Sequence, residues 1–426
     1  MSVRNRRVWL LGASVATGAM VLAGCSGGGG DDDTIYVSVA NHPWTDAVLA
    51  NVEDFEAESG LNVEVTSYTE DQLSQQLNVR LNANADDIDV MMVRPLQEIR
   101  TFDRNGWLAD LTEQTTGDQE WDWSDFQEGP RDSVTVDERV LGVPLATERE
   151  VLYYRTDLLE EAGLEVPETL EELEEAARTI QEENEDVFGF VSRGARAAAV
   201  TQFSSFLYSY GADWVAEDGS SGIGTPEARE AYTFYSDMLR EYGPPGVTNM
   251  SWPEAMGIFT QGRAAFYTEA DSLYTNATDP SNSTVSDTVG FAPFPAGPAG
   301  SHPTNVPSWA LAVPESSTNH EGAWEFVRWA TNQENTLLAQ ESGVIGARAS
   351  AWEAEVPDTP EDLAEAQEVS AESGVGYSHP VVLNVSRARD IVGEPIVTGI
   401  EGGDIEAALD TADQAFTEFL AEENED

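Results

Sequence analysis

Between Val140 and Ile180 the sequence sets a strand, a short helix and a longer helix in quick succession. Val151 to Tyr154 is a compact apolar and aromatic run of strand type. Asp157 stands where it can cap a one-turn helix, and Gly163 where a helix closes on a left-handed residue. Thr169 and Glu172 have capping-box spacing. Leu170, Leu173, Ala177 and Ile180 then share one helical face.

The same succession opens the chain. Ile35 to Ala40 alternates as a strand, with Ile35, Val37 and Val39 on one side, and Val48, Val52 and Phe55 mark a helix closed by Gly60. Asn62 to Thr66 reads as a second strand. Thr69 and Gln72 have capping-box spacing before a helix lined by Leu73, Leu77 and Leu81. Asp89 to Val93 is a third strand, followed by a helix from Pro95 to Asn105 ended by Gly106. Strand and helix alternate, which argues an α/β layer with a mostly parallel sheet.

Arg6-Arg7 followed by the apolar Val8 to Ala23 reads as a twin-arginine export signal, too short to span a bilayer. Leu22-Ala23-Gly24-Cys25 resembles a lipobox, and Cys25 is the only cysteine, so no internal disulfide can form. Residues 26–33, glycine-rich and then acidic, read as a flexible tether. Acids number 78 against 21 bases, every base is arginine, and the net charge is −57. Such a charge self-repels unless salt screens it and argues against nucleic acid as a partner. Lysine-free, acid-rich chains resemble proteins of extreme halophiles. Asn249, Asn276, Asn282 and Asn384 each begin an N-glycosylation sequon.

Several stretches resemble the family-1 extracellular solute-binding proteins of ABC importers. They are the run from Val140 to Leu173, DDIDVMMV at 86–93, NGWLADLT at 105–112, SWPEAMGIFTQGRAAFY at 251–267, and the segment from Trp309 through Gln340. The resemblance implies a two-lobed, periplasmic-binding-protein-like (type II) α/β fold with hinge crossovers and a ligand cleft between the lobes. It places residues 34–146 plus 305–344 in the N-terminal lobe and residues 147–304 plus 345–426 in the C-terminal lobe. Hinges are expected at Pro144 to Glu148, Pro298 to Asn305 and Gly343 to Gly346. It implies a monomer without a cofactor, held outside the cell membrane by lipid on Cys25. Such a protein passes a small carbohydrate or polyol to membrane permease subunits.

Sugar sites combine aromatic faces with carboxylates, amides and arginines, and in open α/β layers they sit at the carboxyl ends of strands. Carried over position by position, the resemblance offers Asn41, His42 and Trp44 after the first strand, Tyr68 and Glu70 after the second, and Arg94 after the third. It adds Glu148 at the crossover, and Arg193, Glu269, Trp309 and Arg348 beyond it. Without that frame, Trp44 and Trp309 read equally well as core, Glu70 as a solvated acid and His42 as a turn former. No tryptophan occurs between Tyr377 and Ser386, where maltose-binding members place one, so a small ligand is expected. A lipid-tethered glycosidase needs only two carboxylates, which the acid excess supplies. A surface receptor that reports a ligand to a signalling protein is the other alternative. No Gly-x-Ser-x-Gly, His-Glu-x-x-His or Walker lysine is present.

Overall fold

The computed structural model describes residues 33–216, 218–352 and 359–425, so the expected export signal, Cys25 and residues 26–32 of the tether lie outside it. Strands β1 (Thr34–Ala40), β2 (Asn62–Tyr68) and β3 (Val90–Val93) alternate with helices, as the sequence requires. A small hairpin follows, β4 (Thr135–Val136) with β5 (Arg139–Val140). The remaining strands are β6 (Val143–Arg155), β7 (Phe188–Val191), β8 (Ala264–Ala270), β9 (Val289–Pro293) and β10 (Asn305–Ala312). The large sheet runs β2-β1-β3-β10-β6-β8-β7, with β9 also paired to β6.

Strand β6 threads both halves of the molecule. Its first part pairs with β10 (Val143 opposite Leu311, Glu148 opposite Val306), and its last part lies between β8 and β9 (Tyr153 opposite both Tyr267 and Phe291). Nearly every β6 residue is buried, so it shows no alternation, and the sequence pattern resolves only Val151 to Tyr154 as strand. Pairing is parallel for β1–β2, β1–β3 and β7–β8. It is antiparallel wherever β6 or β10 takes part. The sheet is therefore mixed rather than mostly parallel, because the two strands that carry the chain between halves run against their neighbours.

Two lobes result. One core gathers residues from Ile35 to Ala146 and from Trp309 to Ala347. The other lobe has a core on each face of its sheet. Leu152, Phe190 and Phe266 join the helices on one side, while Val151, Tyr153 and Tyr267 join Phe259 and Leu363 on the other. Residues 345–348, expected with the C-terminal lobe, pack with the first core: Ala347 lies in it, and Arg348 is clamped by Asp125 and by the Trp121 and Thr331 carbonyls.

Local signals act largely as read. The Leu170–Glu183 helix starts on the reciprocal Thr169–Glu172 capping box and buries Leu173 and Ile180 completely. Burial of each such side chain contributes about 1.5–3 kcal/mol. Gly163 closes the Thr156–Ala162 helix at φ 67°. Asp157 does not cap it. The cap position falls on Arg155, and the Asp157 carboxylate takes the Arg155 guanidinium through Nε at 2.7 Å and Nη2 at 2.5 Å. The stretch after β3 begins with a wide helical turn, Pro95–Ile99, before regular helix over Arg100–Arg104. Such widened turns gather at functional sites.

Candidate functional site

A cavity of about 470 Å³ opens between the lobes at the ends of β1, β2, β3 and β7, walled on the hinge side by β6 and β10. Each wall is built locally. Chain direction changes after β1 at Asn41, whose amide donates to the Tyr68 carbonyl at 2.7 Å. His42 caps the Pro43–Leu49 helix, and its Nδ1 accepts the Trp44 amide at 3.1 Å. That bond leaves Nε2 as the protonated nitrogen, which faces Glu148 Oε1 at 3.4 Å. Ser272 Oγ donates to the same oxygen at 2.8 Å. Burial opposes ionisation of Glu148, but His42, Ser272 and Arg193 outweigh it and hold the carboxyl below its usual range.

The arginines in the cavity wall already have partners. Arg193 grips Glu269 with two bonds, Nε at 2.9 Å and Nη2 at 2.5 Å. Burial works against the Arg193 charge, but Glu269 more than restores it and raises its pKa. Glu269 is fully buried and accepts further hydrogen bonds from Gln202, Tyr267 and its own neighbour's amide, at Ala270. Arg94 is held by Ser74 and Glu98, and Glu98 also takes the Arg94 amide. Arg389 donates to the Ala197 carbonyl and the Thr201 hydroxyl. Arg193 and Arg94 thus present guanidinium edges whose charge is compensated by protein carboxylates.

Of the residues singled out in the sequence, Asn41, His42, Glu70, Arg94, Glu148, Arg193 and Trp309 line this one cavity. Four others do not. Trp44 is 2 % exposed and packs in the first core. Tyr68 ends the edge strand β2 and contributes its carbonyl to Asn41. Glu269 sits behind Arg193 and orients it. Arg348 lies within the first lobe, its guanidinium 4.1 Å from the Phe126 ring centre and paired with Asp125 at 3.0 Å. Trp309 is only 4 % exposed; its ring tilts against His42 at 5.8 Å between centres, beside an irregularity in β10. Residues that the sequence reading missed include Trp252, Ser308, Ser378, His379, Arg389 and Asp390. Trp252 opens a helix on a capping box (Ser251 with Glu254), within a stretch that was read only for its family resemblance. His379 belongs to no motif.

A cleft between two lobes, crossed by β6 and β10 and lined from both sides, defines a solute-binding protein of the type II architecture. The chain belongs to the bacterial extracellular solute-binding proteins, whose family model matches residues 41–337. It is 28 % identical to a mannitol-binding protein of Pseudomonas aeruginosa over 66 % of each chain. Identity is 27 % to an erythritol/L-threitol-binding protein of Mycolicibacterium smegmatis, over 78 % of this chain and 72 % of that one. The chain thus spans about two thirds to three quarters of these relatives. Among solved structures, it resembles an ABC transporter solute-binding protein of Agrobacterium vitis with bound D-mannitol. That likeness has a TM-score of 0.80 at 25 % identity, over 91 % of this chain and 98 % of that one. Maltose-bound MalE3 of T. maritima is similar at TM-score 0.82 and 26 % identity, over 91 % and 99 %.

Proposed function

We propose that this protein is the receptor of an ABC importer and captures a small, uncharged polyhydroxylated solute, a polyol or small sugar, between its lobes. The observation that carries this reading is the wiring of the cavity. Arg193, Arg94 and Arg389 are engaged by protein oxygens before any ligand arrives, while Glu148, Glu70 and Asp390 line the same cavity. Such a lining suits hydroxyl groups, which accept from held guanidinium edges and donate to carboxylates. The Arg193 and Arg94 charges are already matched by Glu269 and Glu98, which leaves them little pull on an anion. The volume fits a small ligand, and the relatives named for mannitol and erythritol support the class.

The rest of the reading concerns placement. Arg6-Arg7 directs export, Cys25 carries a lipid anchor at the outer membrane face, and the receptor acts as a monomer. The net charge of −57 suits salt-rich surroundings. Pro144 to Glu148, on β6, and the crossing into β10 act as hinges during closure. Calorimetric titration with D-mannitol, erythritol, maltose and glucose in molar salt tests the ligand class, and X-ray scattering of the best binder tests closure. Saturable one-to-one binding with a smaller radius of gyration supports the reading. Absence of binding across the panel refutes it.

A further inference from the structure

His379 is 1 % exposed, yet it lines the ligand cavity. Its Nδ1 lies 3.1 Å from the Pro380 carbonyl oxygen. A carbonyl only accepts, so Nδ1 carries the proton and Nε2 bears the lone pair. Among the described residues, Nε2 has no hydrogen-bond partner. The ligand cavity is the space that His379 adjoins.

The ring is held firmly. Its backbone segment is tied to the hinge crossing, where the Val375 amide donates to Pro303 and the Asn305 amide to Val375. Tyr208 donates to the Tyr377 carbonyl at 3.0 Å, and Tyr377 bonds Asp213. The neutral form is held too. Burial, with Arg389 on the adjacent helix and Arg94 across the cleft, lowers the His379 pKa to about 3. An uncharged imidazole with one fixed lone pair is a hydrogen-bond acceptor and nothing else. His42, in the opposite wall, has the opposite tautomer, with its Nε2 proton directed at Glu148.

We infer that His379 Nε2 accepts a hydrogen bond from a hydroxyl of the bound solute and helps determine specificity for hydroxyl donors. The inference rests on the proposed capture of a polyhydroxylated solute and assigns one ligand contact within it. It follows that an ether or a fluorine at the contacting position, neither of which can donate, is rejected.

Three forms are compared by calorimetry in molar salt with D-mannitol, erythritol and maltose: wild type, His379→Phe and His379→Gln. For the solute that wild type binds, His379→Phe is expected to weaken affinity about tenfold or more. His379→Gln, whose amide oxygen can accept, is expected to recover most of it. A second measurement needs no variant. In protein labelled with ¹⁵N-histidine, His379 should show the Nδ1–H tautomer, and its unprotonated Nε2 resonance should move when that solute is added. Unchanged affinity in a folded His379→Phe protein overturns the inference, as does an Nε2 resonance that ignores the ligand. If wild type binds none of the three solutes, the functional reading fails and takes the inference with it.

Discussion

Glu269→Gln is the most informative single change, because it separates holding an arginine from touching a ligand. Glu269 is fully buried and takes both Arg193 bonds, at 2.9 and 2.5 Å. Gln202 at 2.7 Å, Tyr267 at 2.8 Å and the Ala270 amide at 2.9 Å complete its partners. Removing its charge leaves the Arg193 guanidinium, whose side chain is 14 % exposed, without its counter-ion. Breaking a buried pair from one side costs about 3–5 kcal/mol. At about 2–4 °C per kcal/mol for a lobe of 150–250 residues, the melting temperature should fall by roughly 6–20 °C. The released charge should also reach the cavity, raising affinity for D-mannonate relative to D-mannitol. Melting by calorimetry and paired titrations read both effects. A variant that melts with wild type, or keeps its preference between the two ligands, refutes the claim that Glu269 neutralises Arg193.

Glu150, on β6, is buried and bonded to Ser205, whose hydroxyl also takes the Thr304 amide. Burial first, then the Glu269 charge, pushes its carboxyl well above the usual range. A folded-state pKa above the unfolded one adds stability that is full at acid pH and is lost as pH rises towards the folded value. Glu150→Gln should therefore gain melting temperature over wild type as pH rises above 4.5, the ordinary value for a glutamate carboxyl, and a pH-independent difference would rule this out. His379 has a lowered pKa, so wild type should lose stability relative to His379→Phe as pH falls from 6.5 towards about 3; parallel melting curves would contradict that. Trp309→Ala should weaken binding and also destabilise the first lobe by about 3–5 kcal/mol, since the ring is almost wholly buried in that core. A variant with wild-type stability would place the ring outside the core. Dilution below about 0.5 M salt should lower the melting temperature as screening of the acidic surface is lost, and a salt-independent melt counts against salt adaptation. Cys25→Ser should be exported yet leave washed membranes, where retention would exclude the lipid anchor.

The helices of both lobes were legible because their signals are local. Leu73, Leu77 and Leu81 repeat at helical spacing, and the Thr169–Glu172 box caps the helix that the sequence indicated. Strand β6 was legible only at one end, because a strand buried on both faces has no period to read. The site divides on the same lines. Asn41, Glu70 and Arg94 follow strand ends, which the sequence locates, and they reach the cavity. Arg348 was carried over from the family resemblance, but an arginine serves a buried structural clamp equally well, and Asp125 with three carbonyls claims it. His379 was invisible because its segment is placed by long-range bonds from Val375 to Pro303 and Asn305 and from Tyr377 to Tyr208, which no spacing along the chain records.

The central claim is that the cavity recognises an uncharged polyol or sugar because Arg193 and Arg94 are neutralised beforehand by Glu269 and Glu98. Titration of wild type with D-mannitol and D-mannonate, one skeleton with and without a carboxylate, tests it most directly. The account predicts saturable binding of D-mannitol and weaker or no binding of D-mannonate at the same molar salt. Tighter binding of the carboxylate would show that positive charge is available in the cavity and would contradict it.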